Sequence, residues 1–432
     1  MIRPILGTFL TRAWTTGSSL LVIMVAGHAL GTEGLGVISL VVLGITIVQL
    51  VNNLVGGGAL VYLAPRAPRR ELLWPAYAWA LITAGLAGVG LHLAADLGNG
   101  SGPTLVPEGY GPHVVVLALM QSLYNVHLNL LVGHQHLRTF NRITALQGLV
   151  LLVAFIMAIR LPGPHDAHRY VQASYAAFGT TLLLSTIALL RVKAPALLTA
   201  EENVLRRMVR QGTQIQTANL LQLLNYRLAY YLIETFRGLS ALGVYSVANQ
   251  LAEGAWLAPR SLGLVLYSTV SNTEEQDRQR DLTLALMKLA VLAATVVIAV
   301  LLVLPGVLYS TLFGPEIVGL FPLIALLAPG IIAMSASQAF SHFYSGTGRN
   351  RHNAIGSLLG TVMTIGAGLL LIPRYGLHGA ALTASLAYGA NAIYQLIVFL
   401  RITQGGAADL WITRQDLERG RTALARGWNA RR

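Results

Sequence analysis

Apolar stretches of about twenty residues, the length an α-helix needs to cross a ~30 Å hydrocarbon layer, recur twelve times along this chain. The first runs from Thr8 to Leu30 and the last from His378 to Leu400. In lipid each backbone donor and acceptor must find its partner within the protein, so such stretches fold as helices. The expected fold class is therefore all-α integral membrane, with twelve transmembrane helices. Charge content agrees: 11% of the 432 residues are charged, against about 25% in a soluble domain. The first stretch is too long for a signal peptide and lacks a clear small-residue cleavage site, so it reads as a retained span. There is no cysteine, which excludes a disulfide framework and thiolate chemistry.

The net charge of +13 poses a question of sidedness rather than of nucleic-acid binding, and no nucleic-acid partner is expected. With the N-terminus inside, Arg160, Arg169, Arg237 and Arg374 fall at the far surface, and Arg12, Arg227 and Arg260 fall within spans. The other twenty-three of the thirty Lys and Arg lie on the cytoplasmic side. That bias predicts cytoplasmic N- and C-termini. The tail 402–432 carries Arg414, Arg419, Arg421 and Arg426 around a stripe of Leu410, Leu417, Leu424 and Trp428. It reads either as a basic helix lying on anionic membrane lipids or as a disordered segment.

The most polar spans form a pair, Thr213 to Val270, joined at Arg237-Gly238-Leu239-Ser240. Asn249, Glu253, Trp256 and Arg260 recur at steps of four, three and four, on one face of the second helix. Asn219, Gln222 and Asn225 recur at steps of three on the first, beside Arg227. Arg227 and Glu253 each lie about ten residues from the turn, hence at similar depth. Ionisable groups there cost roughly 2.5–3.5 kcal/mol each and face a bundle interior or a wet cavity. Two readings follow: an ion pair that locks two helices, or a polar cavity in which Arg260 and Arg227 attract an anion. Elsewhere Arg12 either snorkels to the near surface or lines the lumen. Asn52, beside Gln49 and Asn53, and Asn125, beside Gln121, His127 and Asn129, need hydrogen-bond partners if buried. The tenth span holds Pro322 and Pro329 and is expected to be kinked or broken; it also carries Ser335, Gln338, Ser341 and His342.

The motifs of soluble catalysis are missing. The sequence has no GxxxxGK[ST] loop, no HExxH and no GxSxG elbow. His134 and His136 read as solvated loop histidines, so no metal, cofactor or enzymatic activity is expected. Within the spans the only carboxylates are Glu253 and, near the far surface, Glu234. One central Glu permits ion coupling without arguing for it.

Two turns echo each other. Gly31-Thr-Glu-Gly-Leu-Gly-Val-Ile-Ser39 and Gly238-Leu-Ser-Ala-Leu-Gly-Val-Tyr-Ser246 share five of nine positions at constant offset. Gly133 with Asn141 echoes Gly346 with Asn353, and Pro162 echoes Pro373. Together these predict two six-helix bundles of like orientation, 1–202 and 203–401, with a substrate site at their interface.

The Gly31–Gly36 turn resembles the Gly-x-Glu-x-aromatic-Gly turn of polysaccharide (Wzx-like) flippases, in the superfamily that also holds drug/ion antiporters and the lipid II flippase. Gly243-Val-Tyr-Ser-Val-Ala-Asn-Gln250 resembles that family's Gly-x-Tyr-x-x-Ala segment. Gly346-Thr-Gly-Arg-Asn and Ile372-Pro-Arg-Tyr-Gly-Leu-His-Gly-Ala-Ala381 resemble its late-helix pattern. Two positions depart from it: Leu35 stands where an aromatic is usual, and Tyr267-Ser-Thr-Val-Ser271 lacks the usual proline. The resemblance implies two bundles flanking a central cavity, alternating access, and transport of an undecaprenyl-diphosphate-linked oligosaccharide across the bacterial inner membrane. It puts Arg12 and Arg260 at the diphosphate, with Asn52, Asn125, Gln222, Asn249 and Trp256 toward the sugar. A polysaccharide polymerase or glycosyltransferases are the partners this implies. The other readings are a drug or small-cation antiporter, which needs Glu253 to titrate, and a non-transporting lipid scaffold. The sequence assigns no oligomeric state.

Overall fold

The structure, a computed structural model, describes residues 2–97, 105–192, 204–257, 259–260 and 275–410. The proline-less segment 267–271 and most of the basic tail lie outside them. Among the described residues all regular structure is helical. The elements are α1 (Ile2–Gly56), α2 (Gly58–Leu63), α3 (Arg69–Leu97), α4 (Gly111–Gly133), α5 (Leu137–Arg160) and α6 (His168–Arg191). They are followed by α7 (Val204–Glu253), α8 (Gln276–Val303), α9 (Gly306–Phe313), α10 (Leu320–Gly346) and α11 (Arg351–Thr403).

Eight of the described helices are long and apolar enough to cross a membrane. Two of these are 54 and 53 residues long, far more than one crossing requires. The reason is a reversal inside each: α1 turns at Gly31 (φ 67°) and α11 at Gly376 (φ 57°). The equally long α7 turns at Gly238 (φ 80°). It is not among the eight, because Asn219, Gln222, Asn225 and Arg227 dilute its apolar character. Positive φ at these three positions favours glycine. That the arms fold back is plain from side-chain contacts. Arg227 and Glu253 are 26 residues apart yet within 2.9 Å, where a straight helix would separate them by about 39 Å. A Cβ built on Gly356 would come 2.3 Å from the Asn391 Oδ1 on the other arm of α11.

The echoing turns of α1 and α7 meet. A Cβ on Gly36 would lie 2.1 Å from the Leu239 carbonyl oxygen, and one on Gly243 would lie 1.9 Å from the Thr32 carbonyl oxygen. The two contacts are equivalent under the sequence repeat, so each copy seats its glycine on the other's backbone. The loop after α9 covers the junction. Thr32 donates its backbone N–H (2.9 Å) and its hydroxyl (3.0 Å) to Glu316. The Thr32 proton is thereby used, so in the 2.6 Å contact with Ser240 the Ser240 hydroxyl donates. These bonds hold the exposed Glu316 carboxyl below the usual carboxylate range, against the opposing pull of desolvation.

The third echo, Pro162 with Pro373, also has a structural counterpart. The buried Arg169 donates to the carbonyls of Pro162 (2.9 Å), Pro164 (3.2 Å) and Leu161 (3.3 Å). Arg237 donates to Pro373 (2.7 Å) and Ile372 (3.4 Å). A guanidinium thus collects the turn carbonyls in both places.

Pro329 does not break α10, which runs through to Gly346. One rung is nonetheless altered. The Ser385 hydroxyl of α11 donates to the Leu326 carbonyl and accepts the Gly330 N–H at 3.2 Å. A regular helix would join those two backbone groups directly, and Ser385 bonds both of them from the neighbouring helix.

Two outcomes test this description. Gly36→Ala and Gly243→Ala each force a methyl into a carbonyl and are expected to cost about 1–3 kcal/mol. Gly366→Ala, with open space around it, is expected to gain about 0.5–1 kcal/mol from helix propensity. Thermal unfolding of the purified protein reads all three. The Glu316 contribution is complete at and above the ordinary glutamate pKa of about 4.3. It fades only as pH falls through the lowered folded value. Glu316→Gln should flatten that acid-side decline of the melting temperature.

Candidate functional site

The two arms of α7 carry the polar centre. Arg227 and Glu253 pair through both oxygens, Nη1 to Oε1 at 2.9 Å and Nη2 to Oε2 at 3.0 Å. Asn249 donates to Oε1 at 2.7 Å and Tyr230 accepts from Arg227 at 3.0 Å. The Arg227 side chain keeps 29% exposure and that of Glu253 12%. Removing one partner of such a pair costs about 3–5 kcal/mol. The carboxylate therefore has a guanidinium and an amide on it already.

Next to this pair is an aromatic cluster. Tyr226, Trp256 and Tyr388 have ring centroids 5.4–5.7 Å apart. Trp256 is fully buried and donates its indole N–H to the Ile331 carbonyl at 3.0 Å. The Arg260 guanidinium lies 5.2 Å from the Trp256 ring, within cation–π range.

Tyr226 separates two cavities. The smaller, about 480 Å³, lies between both arms of α1, α5, α6 and α7; Arg227, Gln147, Tyr170 and Gln250 line it among aliphatic side chains. The larger, about 1000 Å³, is enclosed by α7, α10 and α11. Gln222, Arg260, Gln338, Arg351, Asn391 and Gln395 are among its lining, which includes no Asp or Glu among the described residues. Residues 217–226 of α7 and 351–357 of α11 line it, well away from the Gly238 and Gly376 turns. The chamber thus occupies the end of the molecule opposite the interlocked junction.

Of the residues singled out in the sequence, Asn219, Gln222, Arg260, Gln338, Ser341 and His342 line the chamber, and Arg227 faces the smaller cavity. Glu253 and Asn249 hold Arg227. Trp256 packs beneath Arg260. Arg12, Asn52 and Asn125 line neither cavity. Arg12 is exposed, Asn125 is half-buried, and Asn52 is fully buried without a hydrogen-bond partner on its amide.

Sequence reasoning left out Tyr226, Arg351, Asn391 and Gln395. A signal was present. Asn391 and Gln395 are one helical turn apart within an apolar span, as Gln338 and His342 are on α10. In lipid such a pair points inward.

Residues 178–321 match a family model described as polysaccharide biosynthesis protein. An uncharacterized membrane protein of Methanocaldococcus jannaschii is 26% identical over 165 residues, 37% of this chain and 32% of that one. The chain thus spans about a third of that relative's length. Among solved structures, an inward-facing multidrug resistance MATE family transporter of the MOP superfamily matches with a TM-score of 0.74 at 16% identity, over 90% of this chain and 94% of that one. An outward-facing MATE family transporter gives 0.66 at 18%, over 93% and 95%. The lipid II flippase MurJ, in an inward closed conformation, gives 0.67 at 13%, over 95% and 89%. Identities this low speak for the fold alone. A third of the chain, residues 178–321, is thus similar to the polysaccharide biosynthesis family, and the chain as a whole shares the fold of these membrane transporter and flippase structures.

Proposed function

We propose that this protein carries an undecaprenyl-diphosphate-linked oligosaccharide across the bacterial inner membrane by alternating access. One observation carries the reading: a large polar chamber with Arg260 on its wall and no carboxylate among the described residues of its lining. Such a lining suits an anionic, hydroxyl-rich headgroup, since guanidinium binds phosphate and amides bind hydroxyls. It does not suit a cationic drug.

The remaining parts of the reading rest on the same frame. The folded-back helices α1, α7 and α11 supply two spans each; with α3, α4, α5, α6, α8 and α10 they make twelve. The bundles are 1–202 and 203–401, with both termini cytoplasmic on the bias of Lys and Arg. The basic loops Ala64–Arg70, Gly133–Arg142 and Gly346–Asn353 then share the cytoplasmic side with the chamber. The interlocked glycine turns close the opposite side. Greater likeness to an inward-facing than to an outward-facing relative, TM-score 0.74 against 0.66, supports a cytoplasm-open state. No catalytic step is involved.

The competing reading, a cation antiporter, asks Glu253 to release and take up an ion. The bidentate guanidinium and the Asn249 amide argue against it.

Reconstitution in proteoliposomes with a fluorescent undecaprenyl-diphosphate-linked saccharide tests both. Arg260→Ala is expected to slow lipid movement about 10- to 100-fold, the loss of one charge-assisted contact of about 1.5–3 kcal/mol, with protein level unchanged. Unimpaired movement would remove Arg260 from the site. In the same assay Glu253→Gln is expected to lower thermal stability and leave any pH or sodium dependence of transport as it was. Loss of an ion dependence in that variant would favour the antiporter.

A further inference from the structure

Resting on the lipid-carrier reading, we propose that the chamber of α7, α10 and α11, and not the smaller cavity, receives the headgroup. Arg260 and Arg351 take the diphosphate, and Gln338 and Asn391 read the hydroxyls of the first sugar.

The charge argument compares the two cavities. Arg227, the guanidinium of the smaller one, is already neutralised by Glu253. Arg260 and Arg351 both line the chamber, and neither has a carboxylate partner among the described residues. The Arg260 guanidinium lies over the Trp256 ring. Two uncompensated guanidiniums match the two negative charges of a diphosphate diester, and the planar donor fork of Arg suits its oxygens.

The amides supply the second, independent observation. Gln338 is nine-tenths buried and faces the chamber, yet neither its Nε2 nor its Oε1 has a hydrogen-bond partner. Asn391 is 1% exposed, and its Nδ2 reaches only the Met334 sulfur at 3.5 Å, a weak acceptor. Its Oδ1 accepts from Gln395 at 3.2 Å, and Gln395 in turn accepts from Ser337 at 3.0 Å. The Ser337–Gln395–Asn391 chain thus ends on an unspent donor. Buried amides left without partners are costly. A vicinal pair of sugar hydroxyls, each both donor and acceptor, supplies what Gln338 and Asn391 lack. Gly356 permits the arrangement, because a Cβ there would fall 2.3 Å from Asn391 Oδ1.

The test uses the full-length protein purified in detergent and three probes: a two-isoprene prenyl diphosphate bearing one hexose, its monophosphate counterpart, and inorganic diphosphate. Dissociation constants are read by tryptophan fluorescence. The wild type is expected to bind the diphosphate compound at least about tenfold more tightly than the monophosphate. Arg260→Gln and Arg351→Gln should each weaken the diphosphate compound about tenfold, a loss of one strong contact, and Arg351→Lys should recover most of it. Gln338→Leu should weaken the hexose-bearing probe and leave inorganic diphosphate unchanged. Arg70→Gln, away from the chamber, should alter nothing. Melting temperatures confirm that each variant is folded. If the Arg260→Gln/Arg351→Gln double variant binds the diphosphate compound as the wild type does, the placement is wrong while the lipid-carrier reading stands. If Gln338→Leu weakens inorganic diphosphate equally, the sugar subsite is wrong. If the wild type binds none of the probes, both the placement and the underlying function fall.

Discussion

The closeness of α1 and α7 at their turns governs everything around them. With a carbonyl oxygen about 2 Å from where each Cβ would be, only hydrogen atoms on Gly36 and Gly243 allow the two backbones to touch. Small residues are the usual means of helix association in lipid, where no hydrophobic force draws helices together. Here the contact is made twice, reciprocally, by the two copies of one motif. Glu316, Thr32 and Ser240 then bridge the same spot through hydrogen bonds. The junction is apolar in packing and polar in its bridging, so it is held by two unrelated kinds of force. The space left where the helices diverge is what becomes the cavities.

Away from the junction, the spans tolerate polar groups only in specified settings. Arg227 and Glu253 neutralise each other. Arg169 and Arg237 spend their donors on turn carbonyls that a proline-containing turn leaves open. Ser385 serves two backbone groups of a neighbouring helix at once. Three different polar devices thus achieve the same end, a satisfied donor or acceptor in a medium without water. Against that background the unsatisfied amide of Gln338 stands apart, and it lies on the wall of the larger of the two cavities. Asn52 and Asn225 are likewise buried and unpartnered, but they line neither cavity, and nothing in the structure accounts for them.

Much of this was legible in the sequence. Apolar stretch length gives the helices, and glycine-bearing turns at 31, 238 and 376 give the reversals. The Arg227–Glu253 pair follows from counting residues back from the Gly238 turn, because depth in a hairpin is set by rise per residue. The echo between Gly31–Ser39 and Gly238–Ser246 is legible as a repeat, but its physical meaning is not. Nothing in either nonapeptide says that the two copies touch. Side-chain direction was the weakest point. Trp256 shares a helix face with Glu253 and Arg260, yet its ring is sealed by Tyr226 and Tyr388, which come from other arms. The chamber itself draws on three helices distant in sequence, so a reading confined to one face at a time found Gln222 and Arg260 and passed over Arg351 and Asn391. Pro329 read as a breaker because proline removes a rung; a hydroxyl 56 residues further on bonds the neighbouring pair, Leu326 and Gly330.

That hydroxyl has a mechanical consequence. Pro329 has no N–H to give the Ala325 carbonyl, and Ser385 bonds the Leu326 and Gly330 groups beside it, so α10 lacks a direct rung at this level. A rod notched once flexes at the notch. The portion before it is packed near the Glu316 loop. The portion after it bears Gln338, Ser341 and Ser345 on the cavity side. A tilt at that level would move this wall like a door on one pin, without requiring the far end of the rod to follow.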